Sequence, residues 1–103
     1  MLRIITPGLE QKLQALGFSS VLLGMELNVG RVRVQAIEHP IDGIALMFTG
    51  FLPRQACQFQ VFAPKTTTAL QLAALIYTNF RLNFPEEAPT CKAYFKSLGM
   101  LVV

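Results

Sequence analysis

The chain has 103 residues and a formal net charge of +3, with 52% hydrophobic and only 15% charged residues. Soluble domains carry about 25% charged residues, and a domain of this size buries only roughly 60–65% of the surface of its unfolded chain. The length fits one domain over residues 1–103, whose apolar residues exceed what so small an interior holds. This excess predicts that a second copy covers part of the surface, and hence a homodimer.

A membrane would also take up apolar residues, but the sequence argues against one. The longest charge-free apolar stretch covers residues 66–80 and begins with threonines, whereas a spanning helix needs about 20 apolar residues. The opening residues MLRIITPG lack the apolar core of a signal peptide, because Pro7 and Gly8 interrupt them. We therefore expect a soluble, cytoplasmic protein in which Cys57 and Cys91 are reduced.

The first predicted element is a helix over about residues 7–16. Thr6 is a suitable N-cap, and Pro7 suits the first helical position, where its missing N–H costs nothing. Gly17 is a candidate for a left-handed residue after the last turn. Three leucines recur on one face at helical spacing: Leu9, Leu13 and Leu16.

From residue 19 onward the apolar residues recur every second position, which is typical of strands. Four antiparallel strands are predicted at about 20–28, 31–38, 43–52 and 57–63, joined by short turns into a β-meander. The apolar face of the first is predicted to carry Val21, Leu23, Met25 and Leu27. Residues 43–52 are apolar on both faces, which indicates a strand covered on both sides, by this chain or by a partner.

Two helices are predicted after the strands, at about 66–80 with Thr66 or Thr67 as N-cap, and at about 86–98. The apolar arc of the longer helix spans about half of its circumference, wider than one sheet face requires. Its facing predicts that Ile76→Glu unfolds the protein whereas Leu75→Glu is tolerated. The expected fold is α+β, an antiparallel sheet with helices packed on it.

His39, flanked by Glu38 and followed by Asp42, is the one local mixture of residues that resembles an acid/base site. Neighbours on a strand point to opposite faces, so Glu38 and His39 need not meet. We interpret the segment as a hairpin turn and predict no catalytic residue. No nucleotide, hydrolase or metal-binding motif is present in the sequence, so we also predict no cofactor and no metal.

Cationic residues suggest a second candidate site, an anion or nucleic-acid patch formed by Arg31, Arg33, Arg54 and Lys65. Nucleic-acid binders usually show denser basic patches with stacking aromatic residues, so a solvated strand face is the simpler interpretation. Cys57 and Cys91 stand apart in sequence and are predicted to be buried apolar residues rather than nucleophiles.

A third candidate site is an apolar ligand pocket between the sheet and the long helix. Its predicted lining is Met25, Met47, Phe48, Phe59, Phe62 and Tyr77. The alternative for these residues is ordinary core or a contact between subunits.

The leading functional hypothesis is a non-enzymatic cytoplasmic interaction module that acts as a homodimer and binds another protein. One alternative is a binder of a small apolar ligand in the predicted pocket. A second alternative is a weak nucleic-acid binder that uses Arg31 and Arg33.

Overall fold

A computed structural model describes residues 5–41, 43–51 and 56–102. They form an α+β fold with a five-stranded antiparallel sheet and three helices. The elements in chain order are α1 (Pro7–Ala15), β1 (Ser19–Val21), β2 (Gly24–Val29), β3 (Val32–His39), β4 (Gly43–Phe51), β5 (Ala56–Ala63), α2 (Ala69–Asn83) and α3 (Ala88–Ser97). The α+β class and the antiparallel meander are confirmed, but the predicted count of four strands is wrong.

The predicted strand at about 20–28 is in fact two strands, β1 and β2. Val21 pairs with Gly24, so Leu22 and Leu23 form the tip of a tight hairpin. The continuous apolar alternation of this segment gave no indication of the turn. The residue that indicates the turn is Gly24, whose φ of 109° is rarely adopted by other residues. The predicted common face is also wrong, because Val21 and Leu23 are exposed while the later residues Met25 and Leu27 are buried.

The strands lie in chain order, β1-β2-β3-β4-β5, with every neighbour antiparallel. Alternate residues of the inner strands point toward the three helices and are fully buried there; Val34 lies opposite Phe48, and Ala36 opposite Leu46. The core therefore sits between one face of the sheet and the helical layer. In β4, Ala45 is also nearly buried although it points to the opposite face.

α1 forms where the leucine spacing predicted it. Leu9 and Leu13 of the helix and Leu16 at its C-cap are buried, and Thr6 is the N-cap, with Pro7 in the first turn. The helix closes in a left-handed turn: Gly17 has a φ of 89°, and the Phe18 N–H donates to the Leu13 carbonyl at 3.0 Å. The hydroxyl of Tyr94 in α3 donates to the Leu16 carbonyl at 2.7 Å, which fixes α1 against α3.

α2 begins and ends later than predicted, at Ala69 and Asn83 rather than at 66 and 80. Its N-cap is Thr68, because only this threonine has a glutamine three residues later. The Gln71 N–H donates to the Thr68 hydroxyl at 3.1 Å, and the Thr68 N–H donates to the Gln71 side chain at 2.9 Å. This reciprocal capping box stabilises the first turn. The last helix is slightly shorter than the predicted 86–98, at Ala88–Ser97.

A cluster of phenylalanines fixes α2 above β4 and β5. The Phe48 ring stacks on Phe59 at 4.9 Å between centroids and meets Phe80 of α2 edge-on at 6.2 Å. Phe84, which ends α2, stacks on Phe59 at 5.8 Å. Gly50 makes room for it, because a Cβ atom at this position would lie 2.4 Å from the Phe84 ring.

Candidate interaction surfaces

The side of the sheet opposite the helices is here called the uncovered face. It carries the alternate residues of the strands, beginning with Glu26 in β2 and Arg33 in β3. No element of the described residues packs over this side, since the buried core lies on the other. Because successive residues of each strand point to opposite sides, the uncovered face can differ in composition from the core.

An apolar row crosses the uncovered face from β1 to β5. Cross-strand pairing aligns Val21, Gly24, Ile37, Ala45 and Phe62 in this row. Gly24 has no side chain, and a Cβ atom there would lie 2.6 Å from the Ile37 Cγ2 atom, so Ile37 extends over the glycine. Phe62 at the far end of the row is 50% exposed.

Further exposed apolar residues lie in two turns at the same end of the sheet as this row. Leu22 and Leu23 at the β1–β2 tip are 93% and 65% exposed, and Ile41 in the β3–β4 turn is 87% exposed. A shallow depression of about 170 Å³ lies beside the row; its lining residues are Leu23, Gln35, Ile37, Ala45, Met47 and Gln60. Small-molecule sites usually measure about 300–1,000 Å³, so this depression is small for a ligand.

The other end of the uncovered face is polar, and its charges are neutralised locally. Arg33 Nε lies 3.0 Å from Glu26 Oε1, and the Arg33 guanidinium lies 4.9 Å from the centroid of the Phe51 ring. The Gln58 amide donates to Thr49 Oγ1 at 3.3 Å. The uncovered face thus combines one apolar end with one polar, internally paired end.

The residues predicted to line one ligand pocket lie on two sides of the sheet. Met25, Phe48 and Tyr77 are buried in the core, and Phe59 packs partly buried against it. By contrast, Met47 pairs across to Gln60 on the uncovered face, and Phe62 lies in the apolar row. The sequence indicated that β4 is covered on both sides, but it did not indicate which of these residues face solvent.

The cations predicted to form an anion patch each pair with different carboxylates. Arg31 Nε lies 2.9 Å from Glu87 Oε1, near the start of α3, and Arg33 pairs with Glu26 on the uncovered face. Lys65 Nζ lies 3.5 Å from Glu38 Oε2 at the opposite end of the sheet. Arg54 lies outside the described residues.

Glu38 and His39 point to opposite sides of β3, as the strand alternation predicts. Nδ1 of His39 accepts a hydrogen bond from the Ile41 N–H at 3.3 Å, and its ring meets Phe62 edge-on at 6.0 Å. Glu38 Oε1 accepts from the N–H and the hydroxyl of Thr6, at 3.0 and 2.7 Å. Asp42 lies outside the described residues.

Glu38 holds the N-cap residue of α1 against the sheet, while the Thr6 side chain makes no cap bond to the first turn. The two hydrogen bonds from Thr6, together with Lys65, hold the pKa of Glu38 below its usual range. A carboxylate at this position also suits the positive end of the helix dipole. These contacts give Glu38 a structural role at the start of α1.

A cleft of about 350 Å³ next to this contact was not identified from the sequence. Its lining comes from distant segments: Thr6, Gly8, Leu9, Lys12, Glu38, Ile44 and Lys65. The ammonium of Lys12 donates to the carbonyls of Lys65 and Thr67 at 3.1 and 2.6 Å. The charged groups of the cleft thus bond to main-chain atoms and to each other. The cleft has no local sequence motif, because its lining residues are far apart in the chain.

The two cysteines occupy apolar surroundings. Cys91 is fully buried, and burial raises the pKa of its thiol to about 12, which keeps it protonated at neutral pH. Cys57 lies partly buried on the helix side of β5. Within the part of the chain that the structure describes, no group of three or more His, Cys, Asp or Glu side chains is placed to hold a metal ion.

The helices of the described residues include none with the length and apolar content needed to cross a membrane. Comparisons with known protein families, with curated proteins and with solved structures found no match to this chain. The exposed apolar residues of the surface are therefore the main indication of function.

Proposed function

We propose that this chain is a non-enzymatic interaction module that acts as a homodimer. The observation that carries this proposal is the number of large apolar side chains left exposed in a chain with only 15% charged residues. Half or more of the accessible surface remains exposed at Leu22, Leu23, Ile41, Phe51, Phe62, Leu70, Leu82 and Leu101. Single exposed apolar residues are ordinary, but here they occur both on the uncovered face, as at Phe62, and on the helical layer, as at Leu82.

A second copy of the chain suits these surfaces because little charge opposes its approach. Arg33 on the uncovered face is paired with Glu26, and the whole chain carries a net charge of only +3. Two copies therefore repel each other weakly, while burial of apolar surface favours their association. The further protein partner expected from the sequence stays a prediction.

The two alternatives receive less support. The depression on the uncovered face, about 170 Å³, is smaller than most ligand sites. The cleft of about 350 Å³ reaches the size of a ligand site, but Lys12 and Glu38, which line it, already bond to the protein. Binding of nucleic acid would require Arg31 and Arg33 to leave the carboxylates that they contact at 2.9 and 3.0 Å. An interaction module requires neither a larger cavity nor unpaired cations.

Light scattering over a concentration series tests the proposal. We expect the mass of two chains at micromolar concentrations and a shift toward one chain on dilution. The mass of a single chain throughout the series, up to high micromolar concentrations, would contradict the homodimer.

A further inference from the structure

The two edges of the sheet differ in length and in protection. β1 has three residues, whereas β5 has eight, Ala56–Ala63. Within residues 5–41, 43–51 and 56–102, the strand that bonds to β5 is β4. The outward N–H and C=O groups of β5 therefore form a row that another strand could bond.

The β5 edge lacks the features that usually prevent pairing with another chain. Natural edge strands carry lysines, prolines or bulges, or are very short. The β5 sequence, ACQFQVFA, contains no charged residue and no proline. Its polar residues are the glutamines Gln58 and Gln60, both exposed, which place no charge opposite an incoming strand.

The helical layer also stops short of this edge. Residues that point toward the helices are fully buried on the inner strands, as at Val34 and Leu46. Three of their counterparts on β5 are only partly buried, namely Cys57, Phe59 and Val61, whereas Ala63 at the end of the strand is buried. An apolar strip along the helix side of β5 thus stays accessible.

One flank of α2 continues this strip. The Tyr77 flank faces α3, since Lys92 Nζ lies 6.0 Å from the centroid of the Tyr77 ring. A helix turns about 100° per residue, which places Leu75 and Leu82 on the flank away from Tyr77. Leu82 is 74% exposed and Leu75 is partly buried.

We infer that a second copy of the chain pairs with β5 edge to edge and antiparallel, so that the two five-stranded sheets continue as one. The inference rests on the proposed homodimer and assigns it an interface. This pairing satisfies the outward backbone groups of β5 in both copies. It also brings together the two apolar strips and the two α2 flanks that carry Leu82.

The geometry of antiparallel pairing restricts the register. Residues directly opposite each other point to the same face. To keep both helical layers on one side, each even-numbered residue of β5 must therefore face an even-numbered one. The two-fold axis then passes beside Phe59 or Gln60, near the middle of the strand.

This arrangement also suits the spacing of the helices. α2 lies above β4 and β5, as the contacts of Phe80 with Phe48 and of Phe84 with Phe59 establish. Strands lie about 4.8 Å apart, so two helices placed symmetrically about the new pair are separated by about 10 Å. Packed helices in proteins have axes about 8–10 Å apart.

The test uses Gln60→Lys in the full chain, with Gln35→Lys as matched control. Gln60 is exposed on β5, so the substitution leaves the monomer core untouched. In either register the two introduced lysines lie within about 8 Å of each other. Gln35 lies on the uncovered face of β3, two strands from the edge.

We expect Gln60→Lys to raise the dimer dissociation constant at least about tenfold in sedimentation, with partial recovery at high salt. Gln35→Lys should leave the constant within about twofold of wild type. Circular dichroism of dilute samples checks that both variants fold. Leu82→Glu, on the α2 flank, should also raise the dissociation constant, by a smaller factor.

The outcomes separate the interface from the homodimer itself. A wild-type chain that stays monomeric overturns both proposals. A dimer that Gln60→Lys leaves intact overturns the β5 interface and keeps the homodimer. If Gln35→Lys dissociates the dimer and Gln60→Lys has little effect, the contact lies on the uncovered face. That result would also overturn the β5 interface.

Discussion

Leu46 and Met47 are neighbours on β4, yet they meet different surroundings. Leu46 is fully buried beneath the helices, whereas Met47 lines a shallow depression on the uncovered face. On the helix side, packing in the monomer explains why the residues are apolar. On the uncovered face it does not, because much of the apolar row stays accessible. Packing within one chain thus accounts for Leu46 but not for the partly exposed apolar residues Ile37 and Phe62.

The largest expected effect of a single substitution is on the helix side, at Ile76 of α2. This residue is fully buried, so Ile76→Glu places an unpaired charge in the core and should cost about 4 kcal/mol of unfolding free energy or more. Leu75 is partly buried rather than solvent-facing, so Leu75→Glu should cost less, about 1–2 kcal/mol. Urea unfolding of both variants measures the difference, and equal costs would contradict the facing of α2.

The contrast between the two faces is tested most directly at Leu46 and Met47. Leu46→Ala leaves a cavity under the helices and should lower the unfolding free energy by about 3 kcal/mol. Met47→Ala removes a partly exposed side chain and should lower it by less than about 1 kcal/mol in dilute samples. Chemical denaturation at low protein concentration compares the two. A larger loss at Met47 would mean that the uncovered face is covered within a single chain.

A smaller effect is expected at Glu38, which holds the N-cap residue of α1 against the sheet. Glu38→Ala removes two hydrogen bonds from Thr6 and should cost about 1 kcal/mol at neutral pH, as the loss of such bonds usually does. Glu38→Gln keeps an acceptor and removes only the charge.

The pH dependence of this effect has a definite sign. The hydrogen bonds from Thr6 lower the pKa of Glu38 from 4.5, so the folded state favours the ionised carboxyl. The charge therefore stabilises the fold above pH 4.5, and its contribution is lost as the pH falls through the lower, folded-state pKa. The stability gap between wild type and Glu38→Gln should narrow over this range. A gap that widens toward acid would contradict the assignment.

The smallest effect is expected at the polar end of the uncovered face. Arg33→Gln breaks an ion pair with Glu26 whose arginine side chain is 40% exposed. Such pairs contribute about 0–1 kcal/mol, so the melting temperature should change little, and less still at high salt. A large loss would indicate that the contact with Phe51 stabilises the strand end.

Much of the fold could be predicted from local patterns. The leucines of α1 and the alternation in β3 each identify one buried face, and the structure buries the same residues. The division at Gly24 was missed because an apolar hairpin tip continues the two-residue period of the strands on either side. The start of α2 was recognisable from the Thr68–Gln71 pair, which has the spacing of a capping box.

The surfaces were harder to predict, because they depend on contacts between distant segments. Arg31 and Arg33 are close in sequence, but Arg31 pairs with Glu87, just before α3, and Arg33 pairs with Glu26 on β2. Likewise, strand alternation separates Met47 from Phe48 without indicating which of them the helices cover. Among the residues that the structure describes, the position of β5 at an edge of the sheet follows from strand order, which a single sequence does not specify.

The tyrosines give this protein a built-in spectroscopic report on its helical layer. The chain has no tryptophan and two tyrosines. Tyr94 joins α3 to the end of α1, and burial raises the pKa of its phenol, while Tyr77 lies between Arg81 and Lys92 at the α2–α3 contact. Near-ultraviolet signals thus follow the docking of helices, and far-ultraviolet signals include the sheet. A denaturation in which the near-ultraviolet signal is lost first would reveal a state whose helices have separated while the strands remain paired.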